Sequence, residues 1–477
     1  MSVQLPSTCL DWEPCRLCRR QHDTPRPLQI PLQCEPGEFA KKVAQYPANV
    51  ASETAITRLF GPEYVPGTFI LAERLTNPGF LDPGEPDFAT FIKEMVLADL
   101  NLLASVDIIE EPSGQARSLA SDLVLAALEA PVGNGRSLCE TITNQEATDI
   151  VWRLLKVLIF GDFNEPLYTH QRQVTLGREV ALRMIAIDST SDLHALAVRS
   201  VMSGLIGTNV KETTKLVGPS QVLGKTPFPL ELETDPGQQA ETIIRSLSEH
   251  ARSGLALDCW EWYRQEVLER PGPVKLVFCT DDYVETVFDL HFLQEQMRRK
   301  SDLQVTILPR NGRYGNDACH CDVSALIQHH LFATLHGMQD EGRLTVCKDG
   351  PVMGGINGWK LSPAAAALLA RADVVVVKGA RAFEMLQGLN KPTYFAFNIV
   401  RSYTESITGV DAEKAQGAFL RQAPGERRFS GFRVRGQRKI RSDKGREMML
   451  AERTALENCP SVVQQPALCS RCAARRV

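Results

Sequence analysis

The segment that begins at Pro271 most constrains the fold. Pro271, Gly272 and Pro273 punctuate the chain, and short apolar runs then alternate with longer stretches of helical spacing. "KLVFC" (275–279), "LQVTILP" (303–309), "RLTVCK" (343–348), "ADVVVVK" (372–378) and "PTYFAF" (392–397) read as strands. Residues 283–300, 322–337, 362–371 and 381–388 read as helices between them. A run of four valines has no polar face, so such a strand must be covered on both sides. Parallel strands joined by helices meet that demand. The expectation is an α/β unit over 269–410, a Rossmann-like doubly wound parallel sheet of about five strands.

The rest of the chain reads differently. Residues 37–268 carry apolar residues at helical spacing, as in 86–106, 118–130, 148–160, 179–187 and 241–268, and are expected to form an all-α domain. Residues 1–36 read as a Cys- and Pro-rich N-terminal extension, and 411–477 as a basic C-terminal extension with a CxxC pair. Within the latter, 421–446 hold ten Lys and Arg against two acids. Such a block reads first as a solvated tail, and it is the one segment expected to offer nucleic acid a contact. The net charge of −4 argues against a polyanion binder as a whole. No apolar run is long enough to span a membrane, and the start shows no export signal, so a cytoplasmic protein is expected.

Carboxylates and a lysine punctuate the strand ends, where open α/β sheets bind ligands. Asp281 and Asp282 follow the first strand, Asn316 and Asp317 the second, and Lys378 and Gly379 the fourth. Carboxylates from separate strands can converge on one hard cation through oxygen ligands. A lysine nearby can hold a phosphate as a point charge. Asp281 or Asp282 alone could equally cap the helix behind it. For Lys378 the bland alternative is a side chain that snorkels to solvent.

These residues also carry a resemblance. "DDYVETVFDL" (281–290) resembles the "DNAGE-x-VFDL" signature of the damage-control phosphatase family, also called the ARMT-like metal-binding domain and formerly a domain of unknown function. "YGNDACHCD" (314–322) resembles its "INDAT" segment, and "ADVVVVKGARAFEML" (372–386) its "ADLVIAKGQGNFETL". "LYTHQRQVTLGREVALRMI" (167–185), "LHALAVRSVMSGLIGTNV" (193–210) and "LNKPTYFAFNIVRSYTESITGV" (389–410) are similar to further family segments in the same order. The resemblance implies a helical domain packed on a Rossmann-like domain, with the site in the cleft between them. It implies a divalent metal (Mn2+, Co2+, Ni2+ or Mg2+) and hydrolysis of a small phosphorylated metabolite, a sugar phosphate or a cofactor fragment. By the same resemblance Asp281, Asp282 and Asp317 are the metal ligands, Lys378 holds the phosphate and Glu285 is catalytic. Gly379, Asn316 and Arg401 are expected to line the substrate.

Several positions depart from the family pattern. Asp282 stands for an asparagine, Tyr283 and Val284 for a small pair, and Ala382 for another asparagine. In "GLIGT" (204–208), Leu205 and Thr208 replace polar residues. An impaired member acting as a metal-binding interaction or regulatory protein is therefore the alternative. A protein carboxyl-methyltransferase is the second, weakened because no Gly-rich nucleotide loop follows any strand. Finally, Cys15 with Cys18 and Cys469 with Cys472 form two C-x-x-C pairs, which suit one structural Zn2+ if the chain ends meet. Two unlinked thiol pairs remain the alternative.

Overall fold

The structure, a computed structural model, describes 51–60, 88–105, 112–132, 171–208, 234–252, 254–312, 317–350, 360–400 and 416–424, with shorter pieces between them. Cys15, Cys18, Cys469, Cys472, Asn316 and Arg401 lie outside the described residues, as does the tail beyond 430. Among the described residues no helix is long and apolar enough to cross a membrane.

Helices come first along the chain: α1 (Glu53–Phe60), α2 (Phe88–Ser105), α3 (Gly114–Glu129), α4 (Gln171–Ile187), α5 (Leu193–Met202) and α6 (Pro236–Arg252). The main sheet then opens with β1 (Leu257–Asp258), β2 (Val274–Cys279), β3 (Leu303–Leu308), β4 (Leu344–Val346), β5 (Val374–Lys378) and β6 (Thr393–Ile399). It continues with β7 (Gln416–Gln422) and β8 (Phe429–Ser430). Between strands lie α7 (Tyr283–Arg299), α8 (His320–Ile327), α9 (Ala333–Asp340), α10 (Pro363–Arg371) and α11 (Ala380–Met385). The strand order is β4-β3-β2-β5-β6-β7-β8, with β1 beside β7. β4, β3, β2, β5 and β6 are parallel, and β7 joins antiparallel to β6. The five expected strands are thus present. The winding reverses between β2 and β5, so the topological switch point lies at their carboxyl ends.

Strand residues alternate between two cores. Leu276, Phe278, Val374, Val376, Tyr394 and Ala396 pack with α4, α5, α6 and α7 on one face. Val277, Cys279, Val375, Val377, Phe395 and Phe397 pack with α1, α10 and α11 on the other. This two-sided burial explains the valine run. The helix α7, caught between the sheet and α4 and α5, is buried on nearly every side. It is capped at its start by Asp282, with Glu285 in its first turn and Arg298 and Arg299 in its last, each charge opposing the helix dipole.

Two boundaries are corrected. The segment 241–268 is not one helix: α6 ends at Arg252, Gly254 takes φ +74°, and Leu257–Asp258 joins the main sheet. Short strands Ile206–Thr208 and Phe228–Leu230 also pair, so the region before 269 is not purely helical. The sheet likewise continues past 410 in β7. Its polar ends, Gln416, Arg421 and Gln422, conceal the strand in the sequence, yet Arg421 is buried with Glu266 in a bidentate pair and lies over the Trp262 ring. The start of the basic block is therefore part of the fold.

Candidate active site

Asp281 follows β2 and Asp317 precedes α8, and the backbone brings them together. Asp282 and Asp317 form an isolated antiparallel bridge, and Ala318 N donates to Asp281 O at 2.7 Å. Their carboxylates share one cation, Arg310. Its Nε donates to Asp317 Oδ2 at 2.8 Å, and its Nη2 lies 3.4 Å from Asp281 Oδ1. Nη1 lies 3.5 Å from Asp349 Oδ2. The Arg310 side chain is fully buried, whereas Asp281 and Asp317 keep 22% and 15% of their side-chain surface, so the two aspartates form the mouth and the arginine the floor.

Asp282 has the capping role that the sequence left open. Its Oδ1 accepts from Val284 N at 2.6 Å and Glu285 N at 3.4 Å. The Val284 and Glu285 amides at the start of α7 are therefore taken and do not serve an incoming anion. Tyr283 and Val284 are core residues on the helical side, with the Tyr283 hydroxyl 3.5 Å from Arg178 Nη1. They fill the layer between α4 and α7 rather than the mouth.

Lys378 does not snorkel to solvent. Strand periodicity puts it on the same face as Val374 and Val376, which looks toward α5 and α7. Its ammonium is fully buried, 2.9 Å from Glu285 Oε2 and 3.1 Å from Asp289 Oδ1. It also donates to Ser200 O at 2.5 Å, near the carboxyl end of α5, where carbonyls lack intrahelical partners. Glu285 and Asp289 stand four residues apart and so share a face of α7. The Ser200 hydroxyl donates to Asp289 at 2.5 Å. Burial works against the Lys378 ammonium, but Asp289 and Glu285 outweigh it and raise its pKa. Sequence reasoning treated Lys378 and Glu285 as separate groups; the structure makes them one ion cluster.

Two glycines permit this crowding. A Cβ on Gly204 would run into Glu285 Oε1 and Asn398 Nδ2. Gly379, at φ +87° and ψ 145°, lies against Asp281, and a Cβ there would overlap its carboxylate. Asp349 and Arg310 escaped the sequence reading. Both follow strands, β4 and β3, so the strand-end rule that singled out Asp281 would have found them.

The donors fit a hard divalent cation. Burial first, then Asp317 and Glu285, push the Asp281 pKa well above the carboxylate range. Burial and Glu285 push Asp282 up to about 8. Oxygen donors that repel one another to this degree are relieved by a cation with oxygen preference. Thr280 Oγ1, beside Asp281, and Asp289 Oδ2 are buried without a hydrogen-bond partner. Among the described residues no three His, Cys, Asp or Glu side chains are closed around one point, and Asp282 Oδ1 is turned into its cap.

Comparison with known proteins finds similarity over part of the chain. Residues 232–410 match the family described as the damage-control phosphatase ARMT1-like domain. That range covers α6 through β6 and every strand-end residue discussed above. A solved DUF89 family protein of Pyrococcus horikoshii is similar at 17% identity with a TM-score of 0.46, over 71% of this chain and 96% of that one. No curated protein matches the sequence.

Proposed function

We propose that this chain, a member of the ARMT1-like damage-control phosphatase family through residues 232–410, is a metal-dependent phosphatase of small phosphorylated metabolites. The observation that carries the reading is the meeting of Asp281 and Asp317 at the switch point, beside the Lys378–Glu285 pair. Asp281 and Asp317 would hold the metal together with Asp282, through the carboxylate oxygen other than the Oδ1 that caps α7. A divalent cation bound there supplies the charge that draws in a phosphoryl oxygen and eases attack by water.

The chain's own groups set the conditions for that chemistry. Arg310 offsets part of the aspartates' charge from below. Lys378 clamps Glu285 against Gly204 and keeps its carboxylate on the sheet side of α7. The ammonium acts on the site through Glu285, since it is fully enclosed. The metal is Mn2+, Co2+, Ni2+ or Mg2+, and the substrate a sugar phosphate or phosphorylated cofactor fragment.

The test is a panel of such phosphate esters assayed with each metal. Inorganic phosphate should be released, the release should stop with a chelator, and Asp317→Asn should lower kcat/KM by about 100-fold or more. Metal uptake without phosphate release from any ester would overturn the catalytic reading in favour of a non-catalytic metal-binding protein.

Asp282 offers a second check. Asparagine caps helices as well as aspartate, so Asp282→Asn should leave stability within about 0.5 kcal/mol. With the metal bound and Asp282 ionised, the substitution removes one negative charge beside the mouth. KM for an anionic ester should therefore fall, and a KM that stays or rises would contradict this electrostatic account.

A further inference from the structure

We infer that Arg310 is a positioning residue, which sets the Asp281 and Asp317 carboxylates for the cation; this rests on the metal-dependent reading above. Its side chain is wholly buried, so it acts through the aspartates rather than on a substrate. The guanidinium is fixed at both ends. At the backbone end, Arg310 N donates to Ala318 O at 3.1 Å and its carbonyl accepts from His320 N at 2.9 Å. At the far end Nη1 meets Asp349 Oδ2. Asp349 is itself held, because its Oδ1 accepts from Asn311 N at 2.9 Å and Gly350 N at 2.7 Å.

A planar fork held in this way has two edges left, and each edge takes one aspartate. Each aspartate gives a single oxygen, Asp317 Oδ2 or Asp281 Oδ1, to the arginine. The second oxygen of each is not bound by the arginine, and that of Asp281 lies against Gly379, where no side chain stands in its way. The guanidinium also cancels one of the three negative charges that Asp281, Asp317 and Asp349 bring to it when ionised, and leaves the rest for a cation. Lysine would not do this, since one ammonium cannot orient carboxylates arriving from three strand ends. The arrangement parallels the outer-shell partners that orient ligands in metal sites generally.

Arg310→Lys keeps the charge and removes the fork. Mn2+ affinity, read by calorimetry on protein verified as folded, should weaken by about 10–100-fold. The kcat should fall more than KM rises. Arg310→Gln separates orientation from charge. Loss of a nearby cation alone would tighten Mn2+ binding, whereas loss of orientation weakens it. Weaker binding in both variants supports the inference. Unchanged or tighter binding in either overturns it. If neither variant folds, Asp349→Asn, which is isosteric and keeps its amide donors, is read instead. There a loss of affinity with a fall in kcat supports the inference, and wild-type values overturn it. A wild-type protein that takes up no Mn2+ overturns both this inference and the metal-dependent reading. Wild-type uptake with unaltered variants overturns this inference alone.

Discussion

Lys378→Met is expected to lower the free energy of unfolding by about 3–5 kcal/mol. The methionine matches the stem in length and removes the ammonium. Glu285 and Asp289 are then left buried beside each other, and Ser200 O loses a donor. A buried ion cluster is a weak source of net stability, because desolvation consumes most of the attraction. Removing its one cation is different: it strands two carboxylates that cannot reach water. Both already have pKa values raised by burial, with Lys378 the chief influence restraining the rise. Urea unfolding of wild type and variant measures the loss. Adding Glu285→Gln and Asp289→Asn to Lys378→Met should recover much of it, which is the coupling expected within one network. A loss below about 1 kcal/mol, or no recovery in the triple variant, would show that Lys378 is not the electrostatic keystone of this ion cluster. Mn2+ uptake per folded molecule should stay near wild type, because the lysine is not among the oxygen donors.

The sheet was legible because its strands carry their environment in their composition. Val374 to Val377 alternate between two apolar cores, so both faces require apolar residues and the run is unbroken. The strand β7 was not legible for the opposite reason. It is equally buried, but Arg421 pairs with Glu266 and the Gln422 side-chain oxygen accepts from the Gly388 amide, both partners far away in sequence. Burial of that kind depends on tertiary pairing and leaves no local period. The site divides in the same way. Asp281, Asp317, Glu285 and Lys378 could be read from their places at strand ends and on the first turn of α7. Which carboxylate meets which cation could not. Parity along β5 does point Lys378 toward the helical face, but only knowledge of α5 and α7 on that face tells that Ser200, Glu285 and Asp289 await it. Asp282 shows the limit most plainly. Its neighbours in sequence favour a cap and a strand-end ligand equally, and its distance to Val284 N decides for the cap in this structure.

Gly379→Ala should disable the site more than it destabilises the fold. Gly379 sits at φ +87° and ψ 145°, a region that residues with a Cβ seldom enter, so strain alone should cost about 1–3 kcal/mol. The second effect is local. The new methyl group would occupy space held by the Asp281 carboxylate, with Oδ2 its nearest neighbour. Asp281 would have to turn away, and in turning it would leave Arg310 Nη2 and Asp317. Metal affinity should then fall by about 10–100-fold, as when a ligand loses its orientation, and phosphate release should fall with it. Gly254→Ala separates the two effects. Gly254 also has a positive φ, +74°, but a Cβ there meets nothing within 4 Å. That variant should lose stability without losing Mn2+ affinity. Calorimetric titration of both variants, beside their urea curves, makes the comparison. Equal Mn2+ affinity in Gly379→Ala and Gly254→Ala would mean that Asp281 does not need the space that Gly379 leaves, and would remove it from the set of metal-holding residues.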